Sequence, residues 1–177
     1  RGYRGITTAG SGNIIVGNTI INITGADFNH LGVETGGEYG IVGAYQSTVI
    51  NNTVIGAKII STGAGISAID NSVVENNWVN ITKVGKGINL AGSNVVVRNN
   101  TVYTVSGAGI YEKDEGSGLL VENNYVHSNS GIGILIEKVN SRRLPSNVTV
   151  IGNTVITENK VAIDASVVMY STSNIDV

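Results

Sequence analysis

An all-β solenoid of about six to seven short coils, held by an internal ladder of asparagines, is the fold this sequence predicts, and three observations carry the prediction. A six-residue motif centred on an Asn-rich turn recurs at near-constant spacing, which is the signature of a stacked repeat. The 177-residue chain holds 24 Val and 23 Ile against only 6 Leu, so its apolar set is overwhelmingly β-branched. It also holds 22 Asn and 24 Gly, so turn formers dominate the polar set. β-branched side chains lose χ1 freedom in a helix and fit a pleated surface, which excludes helical folds.

The units follow one another as Ile15-Val16-Gly17-Asn18-Thr19-Ile20, Val49-Ile50-Asn51-Asn52-Thr53-Val54, Val74-Glu75-Asn76-Asn77-Trp78-Val79 and Val97-Arg98-Asn99-Asn100-Thr101-Val102. Two more are Val121-Glu122-Asn123-Asn124-Tyr125-Val126 and Val150-Ile151-Gly152-Asn153-Thr154-Val155. The last Asn of each turn recurs every 23 to 25 residues where nothing is inserted. A second mark keeps the same beat at Gly40-Ile41, Gly65-Ile66, Gly87-Ile88, Gly109-Ile110, Gly133-Ile134 and Ala162-Ile163. Such a unit is too short to bury its own apolar face, and its apolar residues alternate with period two around the turn. Each unit therefore reads as one coil of about three short strands. Ile15, Val49, Val74, Val97, Val121 and Val150 before the turn, and Ile20, Val54, Val79, Val102, Val126 and Val155 after it, are the expected inward stacks. Between them Asn18, Asn52, Asn77, Asn100, Asn124 and Asn153 are placed to donate and accept along the axis, a structural role rather than a catalytic one.

These marks resemble the right-handed parallel β-helix of the pectate-lyase-like superfamily over nearly the whole chain. That resemblance implies a single-stranded right-handed parallel β-helix, with residues 1–177 as one domain. It also implies a polysaccharide or cell-surface setting, because such repeats occur in polysaccharide lyases, epimerases, phage tail spikes and adhesin-like surface proteins.

Long loops on a regular coil are where recognition is expected. About ten extra residues between Asn18 and Gly40 carry Asp27, Phe28, His30, Glu34 and Glu38. The stretches Gly109 to Asn124 and Gly133 to Asn153 are three and eight residues longer than Gly65 to Asn77, and hold Glu112, Lys113, Asp114, Glu115, Glu137, Lys138, Arg142 and Arg143. The resemblance implies a groove on the Gly-Ile strand, whose outward column would be Val42, Ser67, Asn89, Tyr111, Leu135 and Asp164. Residues 39 to 153 are also similar to mannuronan C-5 epimerases, whose Tyr-Gly-x-Asp-Pro-His-Glu motif meets Tyr39-Gly40-Ile41-Val42-Gly43-Ala44-Tyr45 here. Val42 and Ala44 replace the acid and the imidazole, so that mechanism does not carry over. A lyase using a basic side chain and a tyrosine through Lys86, Tyr111, Arg142 or Arg143 is the enzymatic alternative, with Tyr39, Asn89 and Glu112 completing its groove.

A second candidate face follows the Asn turn. Trp78, Thr101 and Tyr125 fall in one outward column and Asn80, Tyr103 and His127 in the next. With coils stacked at about 4.8 Å, these six would form a patch of aromatic faces with polar tips, which suits the apolar face and hydroxyl rim of a sugar. Thr19, Thr53, Thr101 and Thr154 also align, but Trp78 and Tyr125 interrupt the flat threonine column that ice binding needs.

The remaining signals set limits. A formal charge of −2 with scattered basic residues gives no footprint for nucleic acid or an anionic membrane. No apolar run approaches the ~18 residues of a membrane span, and the absence of Cys removes disulfides and thiolate metal sites. Glu112, Asp114 and Glu115 offer Ca²⁺-type oxygen ligands in a spacing that matches no defined loop, so no cofactor is expected. Sequons occur at Asn22, Asn51, Asn80, Asn99 and Asn147, as a glycosylated surface protein would carry. Neither Arg1-Gly2-Tyr3-Arg4 nor Ser173-Asn174-Ile175-Asp176-Val177 reads as a cap, and the latter repeats the pattern of Ser146-Asn147-Val148-Thr149-Val150. The chain is thus expected to be a segment of a longer protein, with neighbouring domains or an end-to-end copy as partners. The functional expectation is an extracellular or cell-surface, adhesin-like structural module that interacts with polysaccharide and has no catalytic residue or metal. The alternative is a polysaccharide lyase or epimerase relative acting on uronate-containing glycans.

Overall fold

The computed structural model describes residues 4–21, 27–28, 34–36, 39–56, 63–83, 85–112, 116–137, 146–158 and 161–165. Three parallel sheets wrap one core. The first has seven strands in the order β1 (Arg4–Thr7), β6 (Tyr39–Val42), β9 (Ala64–Ile69), β12 (Lys86–Ala91), β15 (Ile110–Glu112), β18 (Ile134–Ile136) and β21 (Ile163–Ala165). The second has six: β2 (Ile14–Val16), β7 (Thr48–Ile50), β10 (Val73–Glu75), β13 (Val96–Arg98), β16 (Leu120–Glu122) and β19 (Thr149–Ile151). The third also has six: β3 (Thr19–Ile21), β8 (Thr53–Ile55), β11 (Trp78–Ile81), β14 (Thr101–Thr104), β17 (Tyr125–Ser128) and β20 (Thr154–Thr157). Within the first insertion β4 (Asp27–Phe28) and β5 (Glu34–Gly36) pair antiparallel, apart from the coils. Each coil contributes one strand to every sheet, so the described chain makes six coils, and β21 adds one strand beyond them. Within the three sheets every strand pairs in parallel with the strands of the neighbouring coils.

Two-residue corners between the second and third sheets fix the register. Their first residue is Gly17, Asn51, Asn76, Asn99, Asn123 or Gly152, all with φ between 52° and 68°. Only Gly and Asn enter that left-handed region readily, which is why the position never holds another type. The second residue is the ladder asparagine. Asn100 shows the pattern: its backbone N–H and its Nδ2 both donate to Asn124 Oδ1 at 3.0 Å, and Nδ2 also reaches the carbonyls of Val74 and Arg98 at 2.9 Å. The paired bonds to the next asparagine's Oδ1 recur from Asn18 to Asn52, Asn52 to Asn77, Asn77 to Asn100 and Asn124 to Asn153. The corners' polar groups are thereby satisfied inside the wall, with no need of water.

Of the twelve expected inward residues, all but Val155 are buried, and Val155 packs half-buried against the same cluster. Ile41, Ile66, Ile88, Ile110 and Ile134 of the first sheet close the core from the third side. The glycines preceding them have a steric cause. A Cβ on Gly65, Gly87 or Gly109 would fall 2.5, 2.2 or 2.2 Å from Cγ1 of Val79, Val102 or Val126, the inward valines of the third sheet. On the outer face of the second sheet Glu75, Arg98 and Glu122 lie in register, and Arg98 Nη2 meets Glu75 Oε2 at 2.9 Å. The Arg98 side chain is 43% exposed, so the pair contributes under about 1 kcal/mol and serves chiefly to favour one register.

Candidate functional site

The third sheet presents its outward residues to solvent. In a strand, residues two apart share a face, so Trp78 and Asn80 of β11 project together, as do Thr101 and Tyr103 of β14 and Tyr125 and His127 of β17. The parallel register aligns Trp78 with Thr101 and Tyr125, and Asn80 with Tyr103 and His127, as the two columns expected from the repeat. The rings meet diagonally between the columns. Trp78 and Tyr103 have centroids 6.1 Å apart, Tyr103 and Tyr125 5.9 Å, each pair tilted by 53°. Tyr103 also meets the edge of His127 at 5.9 Å. The small Thr101 is what permits this, because it lies between Trp78 and Tyr125 in their column and leaves room for Tyr103 to lean toward both. Trp78 is 36% exposed while the other five are half-buried, so the face offers ring surface without projecting freely.

One participant escaped the sequence reading. Glu158 Oε1 lies 3.7 Å from His127 Nε2, at the rim of the face. Its place was readable from the repeat, since aligning Asn153 with Asn124 sets Glu158 opposite Asn129, two residues beyond His127.

The first-sheet groove is assembled only in part. Val42, Ser67, Asn89, Tyr111, Leu135 and Asp164 are in register as one column. Tyr39 stands in another, in register with Arg4 and Ala64, and Ala64 with Lys86. Tyr111 is only 7% exposed: the Lys86 ammonium sits 4.4 Å from its ring centroid, and its hydroxyl donates to Glu137 Oε1. Glu112 is a correction to the expected groove. Alternation along β15 sends Tyr111 outward and Glu112 inward, into the column of Leu90 and Ile136, where it is 1% exposed. A carboxylate there cannot touch a ligand lying on the outer face. Arg142 and Arg143 lie outside the described residues, as do Asp114 and Glu115 of the acidic loop. Among the described residues no cluster of three or more His, Asp or Glu side chains is brought together that could hold a metal ion.

Parallel sheets closed by an Asn ladder around a Val and Ile core, with an aromatic face on one wall, define a β-helical solenoid protein. The model of the right-handed β-helix region family matches residues 5–177, and the chain belongs to that family. Comparison with curated proteins and with solved structures returned no match.

Proposed function

We propose that the chain is an extracellular or cell-surface structural module, adhesin-like in design, that interacts with polysaccharide through Trp78, Asn80, Thr101, Tyr103, Tyr125 and His127. The observation that supports this reading is the run of Trp78, Tyr103 and Tyr125 across three coils, with ring centroids at 6.1 and 5.9 Å. Aromatic faces take the C–H side of a pyranose, while Asn80, Thr101 and His127 offer donors and acceptors to its hydroxyl rim. A repeating polymer suits a repeating wall, since successive sugars meet successive coils and weak contacts add. Trp78→Ala with Tyr125→Ala is expected to abolish retention on polysaccharide gels and glycan arrays with the β-sheet signal intact. Retention unchanged in the double variant would remove the face from consideration.

A second reading, a lyase or epimerase relative acting on uronate polymers, draws support from Lys86 and Tyr111 on the first sheet and Glu137 just beyond β18. Abstracting a proton next to a carboxylate needs a base in reach and a cation beside the developing charge. Its test is turnover on acidic polysaccharides, seen as absorbance of unsaturated uronates or proton exchange at C-5. On this reading Tyr111→Phe is expected to remove the signal; on the first there is none to remove.

A further inference from the structure

We propose that Asn80 is an N-glycan acceptor whose first sugar lies on Trp78 and Tyr103, so that the aromatic face can be filled by a glycan carried on the same chain. This rests on the reading that the face takes a sugar, and adds where that sugar comes from. Asn80 opens the sequon Asn80-Ile81-Thr82, and Thr82 is exposed just past the end of β11.

The residue is out of place structurally. Its register column runs Ile21, Ile55, Asn80, Tyr103, His127 and Ile156, large side chains apart from Asn80 itself. Asn is disfavoured within a strand unless its amide is used. A ladder asparagine such as Asn100 uses both ends of its amide, whereas the side-chain amide of Asn80 has no hydrogen-bond partner among the described residues. Around that amide stand Trp78, two residues earlier on the same face, and Ile55 and Tyr103 in register on the strands to either side. A sugar leaving Nδ2 meets apolar surface on three sides, and its C–H face has two rings to cover it.

The other described sequons lack this setting. Asn51, Asn99 and Asn147 occupy left-handed corners, and the residues two before them are Val49, Val97 and Pro145, none of them aromatic. Attachment needs a lipid-pyrophosphate-linked oligosaccharide and its transferase. Nδ2 attacks the anomeric carbon, the C–N bond forms as the carbon–oxygen bond to the pyrophosphate breaks, the amide proton passes to the transferase's base, and the lipid pyrophosphate leaves. No electron is gained or lost. Once attached, the sugar sits at an effective concentration of about millimolar, so stacking too weak to hold a free glycan still orders a tethered one.

The test is secretion of the chain through a eukaryotic glycosylating pathway, with site occupancy mapped by mass spectrometry after enzymatic release in ¹⁸O-water. Asn80 is expected to be occupied, Thr82→Ala to abolish occupancy there without altering the circular dichroism, and Trp78→Ala to lower it several-fold. Trimming the glycan to its first sugar should preserve the melting temperature, while Thr82→Ala lowers it by about 2–4 °C. An unoccupied Asn80, or occupancy and melting temperature indifferent to both Trp78→Ala and Tyr103→Ala, overturns the proposal. Gel retention of unglycosylated chain made in bacterial cytoplasm is read separately, so failure of free-polysaccharide binding and failure of attachment are distinguishable.

Discussion

Asn100→Ala is expected to destabilise the chain by about 4 kcal/mol, far more than an exposed polar-to-Ala change. The substitution removes an acceptor used by both the backbone N–H and the Nδ2 of Asn77, at 2.9 and 3.0 Å. It also removes the donor that reaches the carbonyls of Val74 and Arg98 and the side chain of Asn124. Each buried polar group left without a partner costs about 1–3 kcal/mol, and water cannot replace the amide in a position 1% exposed. Asn18→Ala is the control. Its side chain is only partly buried, and among the described residues no other ladder asparagine donates to it, so a loss of about 1 kcal/mol is expected. Hydrogen exchange measured coil by coil should show the effect of Asn100→Ala concentrated in β10, β13 and β16, because a solenoid's stability is largely a sum of neighbour terms. A change below about 1 kcal/mol would mean that the ladder follows from the corner geometry and does not sustain it.

The ladder was legible because it is periodic. A corner that occurs six times, every 23 to 25 residues where nothing is inserted, samples the same environment each time, so the second Asn declares itself by never varying and the flanking positions by holding only Val or Ile. The two aromatic columns were legible for the same reason, since parallel register is inherited from the corner. What the repeat could not give is whatever breaks it. Glu112 looks like a loop acid when read beside Lys113 and Asp114, yet it is the last residue of β15, and the period of two turns it into the core. The diagonal meeting of Tyr103 with Trp78 and Tyr125 depends on side-chain torsions that register does not set. The contact between Tyr111 and Glu137, by contrast, was open to the repeat, since aligning Gly133 with Gly109 sets Glu137 two residues beyond Leu135, the register partner of Tyr111. The first Asn of each pair was passed over beside the second; its signal, an exchange only with Gly, is that of a left-handed residue.

Gly109→Ala is expected to cost about 3 kcal/mol, a large effect for a single methyl. The added carbon would lie 2.2 Å from Val126 Cγ1 and 2.7 Å from the carbonyl oxygen of Gly133. The first clash is with a side chain held in a packed core, the second with the backbone of the next coil, and neither can give way without disturbing the parallel ladder. Val126→Ala alone opens a void and is also destabilising. Combined, the two changes should cost about 1–2 kcal/mol less than their sum, because shortening Val126 vacates the space the new methyl needs. Recovery stays incomplete because the Gly133 carbonyl is unmoved. Ala162, at the corresponding place in the last turn of the repeat, indicates that the backbone conformation itself accepts a Cβ. Urea denaturation of the two single variants and the double variant provides the comparison. Strict additivity would show that the glycine column is selected for its backbone alone; the expected coupling shows that it exists to let the third sheet's valines close over the first.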